Sequence, residues 1–84
     1  LSYSLSILRR AQKELAKAPA GDYERLVEAI RRLGGNPRPV GCLKLTGREG
    51  WRIRIGDFRV LYEIDDRERS VTIIHVGNRR DVYR

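Results

Sequence analysis

The chain has 84 residues, 40% apolar and 35% charged, with a formal net charge of +7 that rests on 15 arginines and only three lysines. That length supports one small domain, spanning 1–84, with a single modest core and no room for a second. A lone cysteine, Cys42, excludes an intrachain disulfide and a thiol-rich metal cluster, while the guanidinium excess points to polyanionic partners: nucleic acid, ribosomal RNA, an acidic protein segment or a membrane surface. A basic surface kept for solubility is the plainer alternative. No apolar run is long enough to cross a bilayer and no basic start leads into a signal segment, so a reducing, cytoplasmic setting without a membrane is expected.

Ser2 to Ile7 alternates serine with Tyr3, Leu5 and Ile7, the pattern of a strand with one buried face. From about Leu8 the period changes. Leu8, Ala11, Leu15 and Ala18 form the stripe of a short helix ending at Pro19-Ala20-Gly21, with Arg9, Arg10, Lys13, Glu14 and Lys17 on its other side. Asp22 is placed to cap a second helix carrying Tyr23, Leu26, Val27, Ile30 and Leu33, which Gly34-Gly35 and Asn36-Pro37 stop. A short strand is expected over roughly Val40 to Leu45, with Cys42 an ordinary strand residue, followed by a turn at Gly47 to Gly50.

The stretch WRIRIGDFRVLYEI, 51–64, reads as a β-hairpin. With Gly56-Asp57 as a two-residue connection, Ile55 faces Phe58, Arg54 faces Arg59, Ile53 faces Val60 and Trp51 faces Tyr62. Trp51, Ile53, Ile55, Phe58, Val60, Tyr62 and Ile64 then share one face, and Arg52, Arg54, Arg59, Leu61 and Glu63 the other. A charged turn from Asp65 to Arg69 leads into a last strand, Ser70 to Val76, in which Val71 meets Ile64 and Ile73 meets Tyr62. The element order is β-α-α-β-β-β-β, an α+β arrangement in which the helix pair covers one sheet face and the arginine face stays open. The first strand must also join the sheet, with a partner that periodicity does not reveal.

Two guanidinium groups directly opposite each other cost stability unless an anion relieves them, which makes the arginine face a candidate phosphate site. If Gly77 lets the chain turn, Arg79 and Tyr83 curl back over that face and join Arg52, Arg54 and Arg59. RNA brings its own nucleophile, the 2′-OH, and attack on the neighbouring phosphorus leaves a 2′,3′-cyclic phosphate without a metal or cofactor. Guanidinium groups beside the Tyr83 phenol favour its phenolate and so a role in proton transfer; an aromatic anchor for the C-terminus is the equally open reading. His75, the sole histidine, is assigned by strand parity to the helix-covered face with Val71 and Ile73, and reads as structural. Asp65, Asp66 and Glu68, interleaved with Arg67 and Arg69, read as a solvated hairpin end rather than a magnesium site.

WRIRIGDFRVLYEIDD followed by VTIIHVGNRRDVYR, together with the upstream LSILRRAQKELAKAP and NPRPVGCLKLTG, resembles the RelE/ParE superfamily of bacterial and archaeal toxins, in its RelE branch, over essentially the whole chain. The resemblance implies two N-terminal helices packed on a small, mainly antiparallel curved sheet, and a ribosome-dependent endoribonuclease that cleaves mRNA in the A site. It implies catalytic roles for Arg54, Arg59, Arg79 and Tyr83, with Arg52, Arg80 and Lys44 as further RNA-phosphate contacts. The implied partners are a RelB-like antitoxin, a 70S-type ribosome with its mRNA, and operator DNA reached through the antitoxin complex. Two other readings stand beside it: a ParE-like inhibitor of DNA gyrase, and a plain RNA- or DNA-binding module whose affinity falls steeply with salt.

Overall fold

The computed structural model describes residues 2–78. They form β1 (Ser4–Ile7), α1 (Arg9–Ala16), α2 (Ala20–Leu33), β2 (Leu43–Lys44), β3 (Trp51–Ile55), β4 (Phe58–Asp65) and β5 (Ser70–Asn78). All five strands join one sheet in the order β1-β5-β4-β3-β2. The β2–β3, β3–β4 and β4–β5 pairs are antiparallel, while β1 runs parallel to β5 with Leu5 opposite Val71 and Ile7 opposite Ile73. The architecture is the expected α+β one, with two helices on an open, mixed sheet.

The hairpin forms because its apolar residues alternate and Gly56, at φ +59°, supplies the left-handed turn residue that a two-residue connection needs. The observed register pairs Ile55 with Phe58, Arg54 with Arg59, Ile53 with Val60 and Trp51 with Tyr62. Ile53, Val60 and Tyr62 are buried against Ala11 and Leu15 of α1 and Leu26, Ile30 and Leu33 of α2; Val71, Ile73 and Val76 of β5 complete the core. Burying one such side chain contributes roughly 1.5–3 kcal/mol, so the one-sided pattern of β3 to β5 is enough to seat the helices. Ala11 has no accessible surface, its small side chain letting α1 lie close on β5.

Four details depart from the sequence expectation. The second helix begins at Ala20 after Pro19, so Ala20 and Gly21 open α2 rather than end α1, and Asp22 is a first-turn residue paired with Arg25 instead of the cap. Proline suits a helix start, where its missing N–H is not needed, and an aspartate in the first turn complements the helix dipole. β2 is confined to Leu43–Lys44: Gly41 takes φ +93° and the Cys42 N–H donates to the Pro39 carbonyl at 3.0 Å, so the chain turns before it can extend. Val40 is consequently fully exposed and Cys42 precedes the strand.

The third departure is a bulge between Leu61 and Tyr62, where the partner of Tyr62 is Ile73 but that of Leu61 is His75. The extra residue, Ile74, reverses the parity of β5 beyond it. Val76 therefore points into the core opposite Val60, and His75 lies in register with Leu61 rather than on the face of Val71 and Ile73. Finally, Gly77 makes no turn: β5 continues through Asn78, with Gly77 opposite Arg59 and Asn78 opposite Phe58.

A clasp closes the end of the sheet farthest from the Gly56 turn. The Tyr3 hydroxyl donates to Asp66 Oδ1 at 2.7 Å, and Arg38 grips both Asp66 oxygens at 3.2 and 2.9 Å while lying 5.0 Å from the Trp51 ring centroid. The Arg38 guanidinium first, and then the Tyr3 hydroxyl, hold the Asp66 carboxyl down to about 2. The fully buried Tyr62 donates its hydroxyl to the Pro37 carbonyl at 2.7 Å, and burial pushes its phenol up. These contacts tie the segment after α2 to β1, β3 and the β4–β5 turn.

Candidate phosphate-binding face

Arg54 and Arg59 sit directly opposite each other near the hairpin tip, with Arg52 two residues back along β3 and opposite Leu61. A strand rise of ~3.3 Å per residue places Arg52 and Arg54 about 7 Å apart along β3, on the same face. Arg54 is exposed, whereas Arg52 and Arg59 are half-buried and the Arg59 Nε is out of contact with solvent. Gly77 faces Arg59 across β5, so no side chain from that neighbour intrudes on the guanidinium.

The face is less open than alternation alone suggests. Leu61, one of its members, is only 8% exposed. Arg52 and His75 flank it from β3 and β5, and Leu43 and Leu45 line the adjoining depression. Strand parity already sets Leu61 on this face; the part it leaves out is Leu43 and Leu45, whose signal is their alternation with Lys44.

His75 is held by α1. Its Nδ1 lies 2.7 Å from Glu14 Oε1, which also accepts the Val76 N–H at 2.9 Å, while Arg10 donates to the other oxygen at 3.1 Å. Burial raises the Glu14 carboxyl, but the Val76 N–H, His75 and Arg10 outweigh it and leave it below its usual range. The Leu8 N–H makes the last bond from this segment to β5, at the Ile73 carbonyl, and Glu14 satisfies the strand edge beyond that point. His75 is thus a structural link, as its sequence context suggested.

The structure brings Arg52, Arg54 and Arg59 onto one face. Lys44 pairs in register with Trp51, one position off the Arg52 register, and its ammonium lies 5.2 Å from the Trp51 centroid, while the residue also lines the depression beside Arg52. Arg79, Arg80 and Tyr83 lie outside the described residues. No group of three or more histidine, cysteine, aspartate or glutamate side chains able to hold a metal occurs among the described residues. None of the described helices is long and apolar enough to cross a membrane.

The family profile described as the ParE toxin of type II toxin-antitoxin systems, parDE, matches residues 5–83. Toxin RelG of Mycobacterium tuberculosis is 34% identical over 88 aligned residues, covering 100% of this chain and 99% of its own. The chain belongs to the RelE/ParE toxin superfamily, in its RelE-like branch.

Solved structures agree. The RelE–RelB complex of Pyrococcus horikoshii superposes with a TM-score of 0.84 at 26% identity, covering 96% of this chain and 99% of that one. The isolated RelE toxin of E. coli gives 0.80 at 29% identity, covering 98% and 92%. This RelE-like chain is a toxin of the type II toxin-antitoxin class.

Proposed function

We propose that this toxin is a ribosome-dependent endoribonuclease that cuts mRNA in the A site. The observation that carries the reading is the cross-strand pair Arg54–Arg59 with Arg52 beside it, a set of guanidinium groups fixed by strand register on an accessible face. Planar donors held in place before reaction suit a phosphodiester whose oxygens gain charge as it is attacked. In the reaction the 2′-oxygen forms a bond to the adjacent phosphorus and loses its proton to a base, for which the Tyr83 phenolate is the candidate. The bond from phosphorus to the 5′-oxygen breaks, and that oxygen takes up a proton, leaving a 2′,3′-cyclic phosphate and a 5′-hydroxyl. Arg59 and Arg79 hold the scissile phosphate, Arg54 stabilises the departing oxygen, and Arg52 and Arg80 clamp the backbone. No metal enters this route.

A cognate antitoxin is the second part of the proposal. The P. horikoshii neighbour is itself a RelE–RelB complex, and a +7 chain offers an acidic partner segment ample complementarity. Primer extension across mRNA on translating ribosomes, with free RNA as the control, tests the reading: stops inside A-site codons support it, and their absence with intact protein overturns it. The matching family profile carries the ParE description, which keeps the ParE-like alternative in play, a toxin whose target would be DNA gyrase. Inhibition of purified gyrase supercoiling without any ribosomal effect would establish that target instead.

A further inference from the structure

Beside the arginine pair lies a depression of about 460 Å³ lined by Leu43, Lys44, Leu45, Thr46, Arg48, Arg52 and Leu61. Its floor is aliphatic and its rim cationic. Leu43 pairs in register with Arg52 and is 52% exposed, while Leu61, also opposite Arg52, is nearly buried. A half-exposed leucine on a two-residue edge strand adds little to the core, and Leu43 is absent from the buried cluster. The β2–β3 loop that supplies Arg48 is shaped by Gly47 at φ +78° and Gly50 at φ +129°, and the Leu45 N–H donates to the Gly50 carbonyl at 3.0 Å. Leu45 is thereby locked over Gly50, where an added Cβ would come within 3.0 Å of Leu45 Cδ1 and 3.2 Å of the Tyr62 carbonyl.

We infer that this depression seats one nucleobase of a single-stranded RNA whose phosphates lie on Arg52, Arg54 and Arg59. A base presents an apolar face and polar edges, which matches an aliphatic floor ringed by guanidinium groups and a hydroxyl. Arg52 belongs to both features, and its place two residues from Arg54 on the same face puts the depression about one nucleotide from the arginine pair. Cations on the rim favour a polyanionic occupant over an acid-poor apolar peptide. The inference rests on the proposed RNA reading but adds a contact that phosphate chemistry does not require: the site senses a base, and so contributes codon preference.

The test uses the free, full-length toxin and non-cleavable 2′-O-methyl trinucleotides in which each base in turn is replaced by an abasic residue. Loss of one particular base should weaken binding roughly tenfold, a single stacking contact's worth. Leu43→Ser should abolish that sensitivity while leaving the melting temperature and the affinity for the abasic oligonucleotide unchanged, and Leu43→Phe should restore or exceed it. Equal binding of all abasic and intact oligonucleotides would overturn the inference. So would a Leu43→Ser protein that loses affinity for the antitoxin alone, since the depression would then hold a protein side chain. If ribosomal cleavage fails but base-sensitive binding persists, the proposed activity falls and the base site stands; cleavage with a codon profile identical in wild type and Leu43→Ser sinks the base site alone.

Discussion

Replacing Arg54 by glutamine should make the protein more stable and less active at once. Arg54 and Arg59 are paired directly across β3 and β4, and Arg54 is exposed. Like charges directly opposite each other on neighbouring strands cost roughly 0.2–1 kcal/mol. At the middle of that range, ~0.6 kcal/mol, relief of the repulsion in a domain of this size amounts to a rise of about 2–5 °C in melting temperature. The gain should shrink in 1 M salt, where the screening length is ~3 Å. Cleavage should fall by about 10²–10³, the usual cost of one preorganised donor to developing charge. Scanning calorimetry at two ionic strengths, beside single-turnover cleavage of ribosome-bound mRNA, measures both. A lowered melting temperature at low salt, or cleavage at the wild-type rate, would refute the idea that this pair is held together for an anion.

Glu14→Ala strands the Val76 N–H and the His75 ring, and should cost about 1–3 kcal/mol in urea denaturation, with Glu14→Gln milder because an amide oxygen still accepts the N–H. Asp66 titrates lower in the folded chain than its ordinary carboxylate value, so its stabilising contribution is complete above that ordinary value and disappears as pH falls through about 2. Acid denaturation of Asp66→Asn should lack that component; superimposable curves for variant and wild type would count against the clasp. Gly50→Ala should lower stability measurably by calorimetry, because its φ of +129° and the 3.2 Å approach to the Tyr62 carbonyl leave no place for a methyl group.

Much of the sheet was legible because alternation and a Gly-Asp turn over-determine the hairpin register, and four charged turn residues carry the same apolar face into β5. The bulge was not legible: parity puts His75 on the face of Val71 and Ile73, and only the register, Tyr62 with Ile73 but Leu61 with His75, places the change of parity at Ile74. The parallel β1–β5 pair was not legible, since it joins segments more than 60 residues apart and leaves no local pattern. The strand expected over Val40 to Leu45 shrank because a positive φ at Gly41 is a backbone choice that apolar neighbours do not disclose. At the site, the row of arginines followed from parity. The placement of Lys44 over Trp51 did not, because a long cationic stem can lie along an aromatic ring.

The account turns on guanidinium groups of β3 and β4 acting on a single phosphodiester. The direct measurement is end-group analysis of mRNA from programmed ribosomes exposed to wild type, Arg59→Ala and Tyr83→Phe. The prediction is a 2′,3′-cyclic phosphate and a 5′-hydroxyl within the A-site codon for wild type, and losses of at least tenfold for both variants. Undiminished cleavage by Arg59→Ala, or ends carrying a 5′-phosphate, would contradict it.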